Sequence, residues 1–128
     1  MADYTLMNLK QIDNAAESFG LADNLEARFA RKPMGLANFG VSYQKLEPGF
    51  RMPFGHGHRE QEELYIVLSG SGRAKVDDEI VALKQWDALR VPGNVTRALE
   101  AGDGGLEIIA VGAPAADDTE MKQGWWED

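Results

Sequence analysis

The feature that most constrains this chain is the spacing of its turn signals. Short runs of β-branched and aromatic residues are closed by glycine- or proline-containing turns about every 8–12 residues, the rhythm of an antiparallel sandwich or barrel. Phe39–Leu46 stops at Pro48-Gly49, and Leu64–Leu68 at Ser69-Gly70-Ser71-Gly72. Ala88–Val91 stops at Pro92-Gly93, and Thr96–Leu99 at the run from Ala101 to Gly105. Further strands are expected over Leu25–Arg31, Arg73–Val76, Ile80–Leu83 and Leu106–Val111. No long helical stretch separates them, which argues against a parallel βαβ sheet. One short helix is expected over residues 11–18. There Ala15 and Ala16 favour helix, Asp13 suits a first turn and Gly20 can end it. Trp125-Trp126 close an acidic stretch and are expected to anchor it back onto the body. The expected fold is all-β, one domain over residues 1–128.

Composition removes several chemistries. The chain has 128 residues and no cysteine, so disulfides, thiolate zinc sites, iron–sulfur clusters and cysteine nucleophiles are excluded. Its net charge is −8, with no basic stripe, so neither nucleic acid nor an anionic membrane surface is an expected partner. The charge is uneven. Residues 28–97 carry eleven bases and eight acids, between two acidic ends. That leaves room for an anionic small molecule centrally. There is no secretory pattern at the N-terminus and no apolar run of membrane-spanning length, so a cytoplasmic protein is expected. No G-x-S-x-G elbow, P-loop or dinucleotide fingerprint occurs, and no organic cofactor is expected.

The only two histidines are His56 and His58. Residues i and i+2 of a strand share a face, so both imidazoles can address one ion. Glu63 follows five residues after His58, and Gly70 seven residues after Glu63. The stretch Gly49–Gly70 resembles the first motif of the cupin superfamily: a Gly-led strand, HxH, a four-residue spacer, Glu, six residues, Gly. The leading Gly49 sits one residue further away than usual. Residues 87–100, with Pro92 and Gly93, are similar to the second motif, but Arg97 stands where the family's third histidine would be. The resemblance implies an antiparallel jelly-roll barrel, often dimeric, so a homodimer is expected.

It also implies a divalent metal, Fe, Mn, Ni or Zn, held by His56, His58 and Glu63. Two histidines and a carboxylate suffice for such an ion and leave positions open for water and substrate. A guanidinium has no lone pair for a metal. Arg97 therefore has three readings. It pairs with Glu63; it clamps a substrate carboxylate or phosphate; or the register differs and it faces solvent, with Thr96 inward. By strand parity Met52 and Phe54 share a face with His56, and Gln61 and Tyr65 with Glu63. Tyr43, Met52, Phe54, Gln61, Arg97 and Leu99 are the candidate pocket residues. Arg97 and Tyr65 are the candidate catalytic ones. The functional expectations are a metal-dependent oxygenase, isomerase or decarboxylase acting on a small carboxylate-bearing molecule, or a non-catalytic binding or sensing barrel with a degenerate metal site. A barrel filled by its own side chains is the third alternative.

Overall fold

The computed structural model describes all 128 residues. Eight strands form one curled antiparallel sheet: β1 (Leu25–Phe29), β2 (Gly40–Leu46), β3 (Phe54–His58), β4 (Glu62–Val76), β5 (Glu79–Lys84), β6 (Ala88–Val91), β7 (Arg97–Ala113) and β8 (Thr119–Gln123). The path β1-β2-β7-β3-β8 runs along one side, and β4 joins β7 to β5 and β6. The two long strands carry the architecture. β7 pairs with β2, β3 and β4, and β4 with β5, β6 and β7.

Alternation along these strands decides what faces inward. Tyr65, Val67, Leu106, Ile108 and Ala110 join Leu25, Ala27, Leu46 and Leu99 in a core of 14 buried residues. The alternate positions point out; Glu62, for example, pairs with Arg90 at 2.6 Å on the surface. No helix is long and apolar enough to cross a membrane.

Several sequence expectations change in detail. The helix over 11–18 is replaced by two 3₁₀ segments, Leu9–Gln11 and Ala15–Phe19. Asn14 accepts from the amide of Ala16 at 3.0 Å and from that of Ala27 at 2.9 Å, tying the turn to β1. That tether, with Gly20 closing the turn at φ 72°, limits the segment to five residues. β1 stops at Phe29, two residues early, and a four-residue helix α1 (Arg31–Met34) follows. Trp86 stands 71% exposed in the turn before β6. β8 lies in the acidic tail, where no alternation of apolar residues announces it. It pairs with β3 over the whole HxH strand, His56 opposite Met121. The two terminal tryptophans do anchor: a Cβ at Gly55 would meet the Trp125 ring at 2.5 Å, and Trp126 packs beneath the Arg51 guanidinium at 4.4 Å.

The glycine-rich stretches read as turns are bulges inside continuous strands. β4 runs through Ser69–Gly72, and β7 through Ala101–Gly105. Between Gly70, opposite Leu106, and Gly72, opposite Ala101, β4 advances two residues while β7 advances five, so part of β7 is left unpaired. Gly70 has φ 77°, and a Cβ there would lie 2.0 Å from the Gly105 carbonyl oxygen. This is the glycine that closes the first motif. Its role is backbone against backbone, not chain reversal. Gly70→Ala is expected to lower the unfolding free energy by about 2–4 kcal/mol, from left-handed strain plus the clash. Urea denaturation checks this; a loss below about 0.5 kcal/mol, the scale of a neutral surface change, would mean that the crossing relaxes freely.

Candidate metal centre and cavity

β3 presents His56 and His58, and β4 presents Glu63 after the turn at residues 59–61. The spacer Gly57 lies against the 93–95 segment; a Cβ would sit 3.4 Å from the carbonyl oxygens of Gly93 and Val95. The His58 amide donates to that Gly93 oxygen at 2.7 Å, which fixes the end of the strand. The two rings meet edge to face, centroids 5.2 Å apart. Nitrogens of both rings and a Glu63 oxygen lie within 4.8 Å of one another. The three residues sit together at the floor of a cavity of about 580 Å³.

Glu63 is the hub of the cluster. Its Oε1 lies 3.2 Å from His56 Nε2, 3.1 Å from His58 Nε2, 2.9 Å from the Tyr65 hydroxyl and 3.0 Å from Arg97 Nη2. Burial opposes its charge, but the two imidazoles and the Arg97 guanidinium outweigh that and hold the carboxyl far below the usual range. Arg97 is fully buried. Besides Glu63 it donates to the Tyr65 hydroxyl at 3.2 Å and to the Val95 carbonyl at 2.8 Å. Of the three readings of Arg97, the structure has the pairing with Glu63; the register does not turn it to solvent. Burial, with the charge of Glu63 next, pushes the Tyr65 phenol up and keeps it a neutral donor.

His58 has a second partner that sequence reasoning missed. Its Nδ1 lies 3.0 Å from Asp118 Oδ1. The other oxygen, Oδ2, accepts the amides of Arg59, Glu60 and Gln61 at 3.1, 2.7 and 3.2 Å. One carboxylate therefore holds both the turn between the ligand strands and the ring of His58. Burial works against its charge, but the amides of Glu60 and Gln61 and the His58 ring bring its pKa down to about 2. Nothing local connects residue 118 to residue 58; an acid in an acidic tail carries no signal of its partner.

The donor set fits a divalent ion. A metal-bound histidine commonly donates its other N–H to a carboxylate, which sets the tautomer and aims the free lone pair. Asp118 does this for His58 and leaves Nε2 toward Glu63. Without an ion, His58 faces a carboxylate on each nitrogen. Burial disfavours its charged form, yet hydrogen bonds to Glu63 and Asp118 prevail and raise its pKa.

The remaining pocket candidates divide. Met52, Phe54 and Gln61 line the cavity. Tyr43 does not: it is on the opposite face of β2, where its hydroxyl donates to Glu107 at 2.5 Å. The cavity face of β2 carries Ser42 and Gln44 instead, one residue out of phase with the expectation. Leu99 is in the apolar core and lines no part of the cavity. Arg97 and Tyr65 are also absent from the lining and reach it only through Glu63. The cavity adds Phe19, Phe29, Arg31, Lys32 and Asp117, which the sequence did not single out.

A family model described as "Cupin domain" matches residues 42–112, more than half of the chain. Among solved structures, a cupin protein from Bacteroides fragilis is similar at TM-score 0.73 and 24% identity, covering 91% of this chain and 89% of that one. A conserved protein with a double-stranded β-helix domain from Klebsiella pneumoniae is similar at TM-score 0.72 and 14% identity, covering 94% and 99%. Oxalate decarboxylase from Bacillus subtilis is similar at TM-score 0.76 and 18% identity, but the match covers 94% of this chain and only 32% of that one. At these identities the likeness is one of fold. No curated protein sequence matches significantly.

The Asp118 contacts generate a pH prediction. A carboxyl depressed from its ordinary 3.8 to about 2 contributes stability that is complete above the former and is lost as the pH falls through the latter. Thermal unfolding of the metal-free protein from pH 5 to pH 2 should therefore fall more steeply for the wild type than for Asp118→Asn. Parallel profiles would remove Asp118 from the linkage.

Proposed function

The chain belongs to the cupin family, and on that premise we propose that it binds one divalent metal ion through His56, His58 and Glu63 and uses it on a small anionic substrate. The observation that carries the reading is the closeness of the three donors, with His58 aimed by Asp118. The bound ion would supply Lewis acidity toward a substrate oxygen, or a site for O₂. The chain's own groups do the rest. Asp118 holds the His58 tautomer, Tyr65 and Arg97 hold the Glu63 carboxylate in place, and Gln61 offers an amide at the cavity wall.

Charge supports an anionic ligand. The cluster holds two carboxylates, Glu63 and Asp118, against the guanidinium of Arg97. A bound dication leaves it one positive charge in excess. An anion entering the cavity would restore the balance, which a neutral molecule would not. Fe, Mn, Ni and Zn all suit this donor set, and an oxygenase, isomerase or decarboxylase reaction is compatible with it.

A second reading has its own observation. Arg97 already occupies Glu63 Oε1. At about 5 Å its charge opposes an ion by about 3 kcal/mol per unit charge at an effective dielectric of 20. On that reading the barrel is a non-catalytic binding or sensing module with a weakened metal site. Both readings include a homodimer as the assembly.

Elemental analysis of untagged protein separates them. The first reading expects close to one equivalent of metal per chain, lost in His58→Ala. Metal that dialyses away from the wild type favours the second, and then Arg97→His should tighten binding by about a hundredfold or more, since about 3 kcal/mol of opposition per unit charge is removed. Metal content unchanged in His58→Ala would overturn the site itself.

A further inference from the structure

We infer that the cavity takes an acid with an apolar body of about aromatic size, rather than a small fully polar acid; this rests in part on the metal reading above. The sheet itself sorts the cavity into two sides. Glu63 on β4 is opposite Gly112 on β7, and Gly112 is opposite Gly40 on β2. Neighbouring strands are about 5 Å apart, so this row spans about 10 Å with no side chain between its ends. Gln61 lies over Gly112, where a Cβ would meet its amide carbon at 2.7 Å. The Arg31 side chain lies over Gly40, where a Cβ would be 4.0 Å from its Cδ. The two glycines thus open a polar rim that runs from the His56–His58–Glu63 cluster past Gln61 to Arg31, with Lys32 beside it in the lining.

The rest of the cavity is mainly apolar, with Ser42, Gln44 and Thr119 among its polar members. Phe19, Leu25, Phe29, Met52, Phe54 and Met121 form its wall. Phe19 and Phe54 face one another with ring centroids 6.3 Å apart, and Phe29 is 54% exposed. A volume of about 580 Å³ is in the range of pockets that enclose drug-sized molecules. A two-carbon diacid or a hydroxylated sugar acid would satisfy the rim and leave this wall facing water. An acid with an aromatic or branched body covers both. Its carboxylate meets the rim and its body displaces water from the wall.

Arg31 is then a specificity residue for the acid group. Its only ion pair is with Asp117, 3.3 Å away and 82% exposed, a contact that an incoming carboxylate can exchange with at little cost. The pair also links α1 to the segment before β8 across the mouth, and the Ala115 amide donates to the Asn38 carbonyl at 3.2 Å beside it. The opening is therefore framed by two tied segments. Arg31 is in the mouth of the cavity without belonging to the metal cluster.

The test is an NMR titration of the Zn(II)-loaded and metal-free full-length protein with 3-phenylpropionate, propionate and 3-phenylpropan-1-ol. 3-Phenylpropionate should bind about tenfold or more tightly than either control, since one lacks the apolar body and the other the charge. Phe29→Ser should weaken 3-phenylpropionate about fivefold and leave propionate unchanged, since only the former uses the wall. Arg31→Gln should weaken both acids and leave the alcohol unchanged. Propionate matching 3-phenylpropionate, the alcohol matching the acid, or no binding of any of the three would overturn the inference. Zinc content, measured on the same samples, judges the metal reading separately. If zinc is not retained, that reading falls, while the order of the three ligands on the metal-free protein still decides this one, because Arg31 and the wall remain. Zinc retained without the order of affinities overturns this inference alone.

Discussion

Glu63 Oε1 is the point on which the interior of the barrel depends. Four groups from three strands converge on one oxygen: two imidazoles from β3, a phenol from β4 and a guanidinium from β7. A buried carboxylate with no partner is costly, and so is a buried guanidinium. Each makes the other tolerable here. The arrangement also couples packing to chemistry, since β3 and β7 meet at a single register pair, His56 opposite Arg97. Loss of the Glu63 carboxylate would leave the buried charge of Arg97 without its ion-pair partner and remove a contact from both rings at once.

Asp118 does for the periphery what Glu63 does for the centre. Its three amide contacts hold the turn between β3 and β4, and its other oxygen holds His58. β8 follows immediately and pairs with the whole of β3. The tail that looks least structured in the sequence thus braces the strand that carries both histidines. The same segment contributes Asp117 to the cavity mouth, so one loop serves the metal cluster, the strand and the opening.

Legibility follows the range of the interaction. Ala88–Val91 is read with its observed limits because its local pattern of apolar residues ends at a proline and a glycine. Ser69–Gly72 and Ala101–Gly105 mislead because glycine marks both a turn and a close crossing of two backbones. Only the partner strand distinguishes them, and Gly70 meets a residue 35 positions away. Tyr43 was assigned to the cavity face, but parity within a strand leaves its absolute phase open. The phase is set by pairing with β7, which turns Ser42 and Gln44 inward instead.

By itself, the sequence determined an all-β chain and the grouping of His56, His58 and Glu63. Turn rhythm decides the first, and period-2 geometry puts the two histidines on one face, while Glu63 joins them through the motif resemblance. Tertiary structure decided whether Arg97 faces Glu63 or solvent, which carboxylate steadies His58, and which side of the cavity is polar. Those outcomes depend on register between strands far apart in the chain: β3 against β7, β7 against β2, and the tail against β3. Register is the sum of many weak pairings and a few obligatory buried partners. No short stretch of residues contains that sum, which is why Asp118 and Arg31 join the site only once the sheet has closed.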